Sequence, residues 1–152
     1  MTELQIRPAA ERDIPHIVAL LADDEIGATR ETPADLAPYL HAFEQIEANP
    51  RDRLVVADRD GAVVGTLQLT FLLGLSRTGA TRAQIEGVRI AAAERGSGLG
   101  TQLITWAVEE ARRSGAQLVQ LTSDATRKDA QRFYQQLGFQ PTHVGFKLTL
   151  TE

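Results

Sequence analysis

The sequence contains no cysteine. That excludes a disulfide framework, thiolate metal ligands and any mechanism that parks an intermediate on a cysteine sulfur. Histidine is almost as scarce: His16, His41 and His143 stand far apart, without the spacing of metal ligands, so no metal is expected. No apolar run approaches the roughly 18–20 residues that a bilayer span needs. Met1 to Arg12 looks nothing like a signal peptide, which makes a cytoplasmic setting and no membrane partner the expectation. The net charge of −4 lacks the basic excess of a nucleic-acid surface, so no nucleic-acid partner is expected.

What remains is a soluble, globular composition. The chain has 152 residues, 43% of them hydrophobic and 24% charged, enough for one domain over residues 1–152 to bury its own core. Alternation in Leu4–Pro8 predicts a first strand. Ile14, Ile17, Val18 and Leu21 fall at helical spacing and predict a helix over about 11–21. Thr32-Pro33-Ala34-Asp35 has the order of a helix start, with a hydroxyl cap and proline in the first turn, and Asn49-Pro50 ends that helix. Leu54–Asp58 and Ala62–Leu72, joined at Asp60-Gly61, form the clearest hairpin. Further strands are expected over Arg82–Ile90, Gln117–Ser123 and His143–Leu150, with helices from Gly98 to about Ser114 and from Lys128 to Leu137. The mostly apolar 117–123 segment reads as an interior strand. The expected fold class is α/β: a mixed, mostly antiparallel central sheet of six to seven strands with about four helices and one strand–helix–strand crossover.

Between the strand at 82–90 and the next helix lies Arg95-Gly96-Ser97-Gly98-Leu99-Gly100-Thr101. A helix N-terminus carries unpaired N–H groups and partial positive charge, so bare amides there can wrap a phosphate. Gly96 and Gly98 let an anion approach the backbone, and Arg95 adds a charge. A sharp strand-to-helix turn would also use glycine, without any ligand. No lysine follows the glycines as in the GxxxxGK[ST] nucleotide loop. The dinucleotide pattern GxGxxG would need glycine at Thr101, and the hairpins upstream do not suit that fold.

The segment does match the R/Q-x-x-G-x-G/A pattern of the GNAT N-acetyltransferases. Val88-Arg89-Ile90 resembles that family's fourth strand, Ala130–Phe139 resembles its A-x-x-F-Y-x-x-x-G-F helix and exit, and the strand order agrees over nearly the whole chain. The resemblance implies acetyl-CoA as acetyl donor, its pyrophosphate on Arg95, Gly96, Ser97, Gly98, Leu99, Gly100 and Thr101. It places the pantetheine arm between the fourth and fifth strands, bonded to backbone at Val88 and Ile90 beside Arg89. Gly87 suits that approach as a bulge within a strand. Arg127 occupies the place where many members carry a cofactor-binding Asn; its guanidinium either reaches a CoA phosphate or faces water.

Moving an acetyl group from a thioester to an amine requires removal of a proton from the ammonium, N–H donors for the oxyanion and a proton for the departing thiolate. With no cysteine, direct attack by the amine is the natural route. Glu86, on the strand before the loop, is the candidate base; the alternatives are a solvated strand residue, or a water chain beside Gln84. Tyr134 is the candidate acid through its place in the family's F-Y pair, or else a packed aromatic. The Val88 amide is the implied oxyanion donor. Trp106 fits core or subunit contact better than a substrate cage. Arg77 and Arg82, flanking the preceding loop, suit solvent better than an acceptor's acid group. The expected activity is N-acetylation of a small primary amine. The alternatives are acetylation of a protein N-terminus or lysine and a non-catalytic acyl-CoA sensor; a closed pocket would favour a small acceptor, a shallow acidic groove a peptide. Family members frequently dimerise, so the resemblance allows a homodimer.

Overall fold

The computed structural model describes residues 3–151. β1 (Leu4–Pro8) passes through a 3-10 turn at Glu11–Asp13 into α1 (Ile14–Ala22), the short α2 (Gly27–Arg30) and α3 (Ala37–Ala48). β2 (Asp52–Arg59), β3 (Ala62–Leu72) and β4 (Arg82–Ile90) then form an antiparallel meander, interrupted by the single turn α4 (Ser76–Gly79). A second 3-10 turn (Ala92–Glu94), α5 (Leu99–Arg113), β5 (Leu118–Leu121) and α6 (Lys128–Gln136) complete the described elements. The sheet order is β1-β2-β3-β4-β5, antiparallel except for the β4–β5 pair.

Two cores lie on opposite faces of this sheet. Val55, Ala57, Leu67, Leu69, Ala83 and Ile85 pack against Leu99, Leu103, Ile104, Ala107 and Ala111 of α5. Val56 faces the other way, onto Ile14, Ile17, Val18 and Phe43 of α1 and α3. Adjacent residues of β2 thus enter different cores, which is why Leu54–Ala57 is continuously apolar rather than alternating. Gly65 brings β3 close to α5: a Cβ there would lie 2.9 Å from Leu103 Cδ1. α5 ends in a Schellman motif at Gly115 (φ 85°), with Ala116 N–H donating to Ala111 O at 3.0 Å and Gly115 N–H to Arg112 O at 3.2 Å.

Several expectations need correction. Thr32–Asp35 does not start α3; it closes a turn, Asp35 N–H donating to Thr32 O at 3.0 Å. The Tyr39 hydroxyl holds that turn, accepting from the Thr32 amide at 2.8 Å and donating to Glu31 at 2.9 Å, and Pro38 takes the first-turn place expected of Pro33. The sheet has five strands among the described residues rather than six to seven, and six α segments rather than about four, since α2 and α4 are one turn each. Residues 143–150 form no strand: they leave the body of the protein, with Val144, Phe146, Leu148 and Leu150 exposed. β5 is consequently an edge strand and not an interior one.

The entry to α1 is fixed by a buried ion pair. Asp13, 2% exposed, accepts from Arg7 at 2.7 and 3.0 Å and from the Ala10 amide at 2.7 Å, while Arg7 Nε donates to Asp58 on β2 at 3.0 Å. The Arg7 bonds outweigh burial and hold the Asp13 carboxyl below its ordinary range. A carboxylate so depressed stabilises the fold fully above its unfolded pKa and loses that contribution as pH falls through the folded one. Asp13→Asn should destabilise the protein by about 3 kcal/mol at pH 7. The gap should begin to narrow below about pH 4, where the unfolded carboxyl protonates, and close only as pH falls through the lower folded-state value; denaturant melts across pH check both the size and the convergence.

Candidate functional site

The site begins where β4 and β5 part. They pair over only four residues each, Arg82–Ile85 with Leu118–Leu121, after which β4 continues alone on that side to Ile90. On its other side the ladder with β3 steps between Gln68–Glu86 and Thr66–Arg89. Two residues of β4, Gly87 and Val88, thus oppose the single residue Leu67. Gly87 has φ 63°, the left-handed conformation of a bulge, as the sequence predicts. The bulge re-aims Val88, Arg89 and Ile90 beside the open side of the strand.

The glycine loop follows immediately. Gly98 (φ 86°) caps α5 with no side-chain bond to the first-turn amides, and Gly96 (φ 81°) precedes it in the same region. A Cβ built at either would meet nothing within 4 Å, so the space beside both glycines is open, while the Ser97 amide between them donates to Glu94 O at 3.1 Å. Gly100 differs: its Cβ would lie 3.3 Å from the Phe133 ring, so this glycine seats α6 on α5. Leu99 is buried in the core, and Ser97 donates to Glu94 O at 2.6 Å. Glu94 is bonded to Arg59 at 2.7 Å, anchoring the loop's start to β2. Arg95 and Thr101 are exposed. An uncapped helix terminus of bare amides beside an exposed arginine fits a pyrophosphate.

Glu86 is exposed on the sheet face opposite α5, where Gln84 Nε2 donates to it; Gln84 in turn accepts from Gln120 at 2.8 Å. A hydrogen-bonded row thus crosses from β5 to the candidate base. Tyr134 is half-buried on the other side, edge-on to Phe133 (5.3 Å between centroids) and Phe139 (6.0 Å). Burial pushes its phenol pKa up, against the opposing pull of the Arg89 and Arg127 charges.

Arg89 and Arg127 meet at a residue the sequence did not single out. Asp24, between α1 and α2, accepts from Arg127 at 2.8 Å and lies 3.5 Å from Arg89 Nε. It also accepts the Gly27 amide at 2.5 Å, where a side chain in place of Gly27 would strike Leu21 O. Burial works against the Asp24 carboxylate, but the Gly27 amide and the two arginines prevail and lower its pKa. Among the described residues Arg89 Nε is buried without a hydrogen-bond partner, while its guanidinium donates to Val88 O at 2.8 Å. Arg127 therefore faces neither water alone nor open loop, but an aspartate 103 positions away. Only the acidic run Asp23-Asp24-Glu25 hinted at Asp24, and a run on a loop usually means solvation.

Other candidates fall outside this cluster. Arg77 sits in an exposed left-handed turn (φ 56°), and Arg82 reaches Gln120 at 3.4 Å. Trp106 packs half-buried against the α5 core. A surface hollow around Arg7, Arg12, Asp13 and Asp58 lies away from the glycine loop, and its two aspartates already serve Arg7.

The sequence model described as "Acetyltransferase (GNAT) family" matches residues 16–139. An aminoalkylphosphonate N-acetyltransferase of Salmonella typhimurium is 29% identical over 99% of this chain and 94% of its own length. An uncharacterized N-acetyltransferase of Escherichia coli is 30% identical over 97% of this chain and 83% of its own. Among solved structures, a Bacillus halodurans protein described as a transcriptional regulator superposes with a TM-score of 0.94 at 43% identity, over 97% of this chain and 100% of its own.

The glycine geometry generates a direct test. Gly98→Val forces a β-branched residue into a left-handed conformation and fills the approach to the amides, so acetyl-CoA affinity should drop at least about tenfold. Arg95→Ala, which would remove at most one exposed charge-assisted contact to a phosphate, should cost only about 1–2 kcal/mol. Calorimetric titration reads both; unchanged affinity in the valine variant would remove the phosphate site.

Proposed function

The chain belongs to the acetyltransferase (GNAT) family and is an acetyl-CoA-dependent acyltransferase, and from that premise we propose that its acceptor is the primary amine of a small molecule, attacked without a covalent enzyme intermediate. The observation that carries this reading is the parting of β4 from β5 after Ile85, next to the Gly87 bulge and ahead of the open glycine terminus of α5. The pyrophosphate rests on the amides of residues 96–101, and the acyl arm runs along Val88–Ile90. The acetyl carbonyl then lies beside the bulge, whose amide at Val88 is the oxyanion donor.

Glu86 receives the ammonium proton, directly or through water. The freed nitrogen pair attacks the carbonyl carbon, and the resulting tetrahedral oxyanion collapses with cleavage of the carbon–sulfur bond. Tyr134 gives its proton to the departing thiolate, and the second proton that the nitrogen sheds as the amide forms restores the phenol, leaving amide and CoA as products. The Gln120–Gln84–Glu86 row orients the base. Asp24, bonded to arginines from β4 and from the start of α6, pins the α1–α2 loop beside the site. Such a pinned loop encloses a short amine more readily than an extended peptide. The Salmonella relative, named for aminoalkylphosphonates, supports a small acceptor.

A panel of ω-aminoalkylphosphonates, amino sugars, polyamines and peptides, with acetyl-CoA and a thiol reagent, tests the assignment. The protein has no cysteine to contribute background. Turnover of one or more small amines above any peptide is expected; turnover of peptides alone overturns it. On the best acceptor, Glu86→Gln should lower kcat/KM by about 10²-fold at neutral pH, recovering partly as pH rises and the amine deprotonates unaided. Tyr134→Phe should lower kcat by about 10–10³-fold while leaving acetyl-CoA affinity nearly unchanged, since the lost proton matters mainly in the transition state. A phenylalanine variant of undiminished kcat would leave Tyr134 a core residue.

A further inference from the structure

Beside the bulge, β4 presents two opposite charges on one face of the sheet. Glu86 stands opposite Gln68 and Arg89 opposite Thr66, two positions apart on β3 because the bulge takes up the extra residue. Gln68 and Thr66 are in turn paired with Leu54 and Val56, whose side chains pack toward α1 and α3, so the acid and the arginine both lie on that face. Two residues of strand put their α-carbons roughly 7 Å apart. Among the described residues the two form no ion pair with each other: Glu86 accepts from Gln84 Nε2, and Arg89 lies 3.5 Å from Asp24.

Asp24 does not exhaust the cations it meets. Two guanidiniums face one carboxylate, at 3.5 Å from Arg89 and 2.8 Å from Arg127, and that carboxylate also accepts the Gly27 amide. Glu31, the other acid that Arg89 feels, is engaged by the Tyr39 hydroxyl. Among the described residues the Arg127 side chain makes a single hydrogen bond, and Arg89 spends one terminal nitrogen on Val88 O. A guanidinium carries five N–H donors in a planar fork, so most of these are unspent. Neither arginine is sealed off, their side chains being 19% and 31% exposed, and both charges act on the Tyr134 phenol at the reacting end of the site. Pinning the α1–α2 loop needs one arginine; the second leaves a positive charge uncompensated, which partial burial makes costly. Resting on the small-amine reading above, we propose that the acceptor is a zwitterion, a primary amine carrying a carboxylate or phosphonate-type anion about two to four carbons away, its ammonium at Glu86 and its anion on Arg89 and Arg127. The two arginines are then specificity-determining residues, and a polyamine meets repulsion where the zwitterion meets a partner.

Matched acceptors that differ only in the anion test this on the wild-type enzyme: β-alanine against β-alaninamide, 4-aminobutyrate against its amide, and 2-aminoethylphosphonate against its dimethyl ester. The neutral partner is the less basic amine in each pair, so a preference for the anion does not come from easier deprotonation. Each pair is read as a ratio of kcat/KM for CoA release, and the anionic member should lead by at least about tenfold in the carboxylate or the phosphonate series. The series with the larger ratio identifies the anion. Arg89→Gln and Arg127→Gln should each cut that ratio at least about fivefold, mainly by raising KM for the anionic acceptor, and Arg127→Lys should restore part of it. A ratio cancels any general loss of rate or of acetyl-CoA binding, and the wild-type comparison does not depend on either variant folding. Equal turnover within every pair, or ratios unmoved in both glutamine variants, overturns the proposal. Lower acetyl-CoA affinity in Arg127→Gln with an unmoved ratio also overturns it, assigning that arginine to a CoA phosphate. Polyamines or amino sugars acetylated ahead of every anionic member overturn it while leaving the small-amine reading standing; turnover of peptides alone removes both.

Discussion

A strand that leaves its neighbour in mid-sheet exposes backbone donors and acceptors that must be satisfied in some other way. β4 does this after Ile85, and the left-handed Gly87 is what lets it do so while still paired with β3 on its other side. A residue with a side chain at φ 63° would be strained, although the space is there: a Cβ would lie no closer than 4.0 Å to Leu21. The requirement is thus conformational and not steric. The rest of the site follows from this bulge. It turns Val88–Ile90 toward the gap, leaves Glu86 on the face opposite α5, and delivers the chain to the glycine cap of α5. The remaining glycines divide the work, with Gly96 and Gly98 keeping the amides bare and Gly100 admitting Phe133.

Legibility in the sequence tracks how local each cause is. β3 and β4 match their expected bounds because alternation, a tight turn and flanking polar residues all lie within a few positions. The Gly87 bulge and the αL cap at Gly98 are legible for the same reason. α3 was misplaced by about four residues, within the usual boundary error, because Thr32-Pro33 carries every local mark of a helix start. A longer-range contact, the Tyr39 hydroxyl on the Thr32 amide, makes it a turn instead. Asp24 was missed altogether: its partners are 65 and 103 positions away, and no periodicity records an ion pair. The alternation of residues 143–150 reads as a strand, yet the segment forms none.

The Asp24 cluster also shapes how Tyr134 can act. Burial raises the phenol pKa, which keeps the proton in place at neutral pH and by itself would make donation harder. The charges of Arg89 and Arg127 pull the other way, favouring the phenolate that donation leaves behind. Asp24 makes it tolerable to hold the two guanidiniums together, since each would otherwise raise the energy of the other, and burial already lowers the Arg89 pKa. On the proposed mechanism Asp24 is therefore a positioning residue for the acid, acting through the arginines. It offsets part of their field, since its own negative charge sits between them. On the proposed mechanism the Tyr134 proton answers negative charge that develops on the thiolate sulfur during carbon–sulfur cleavage, while the neutral thioester before it calls for none. An arrangement that responds to charge only as it appears stabilises the transition state more than the ground state, which is the condition for raising kcat.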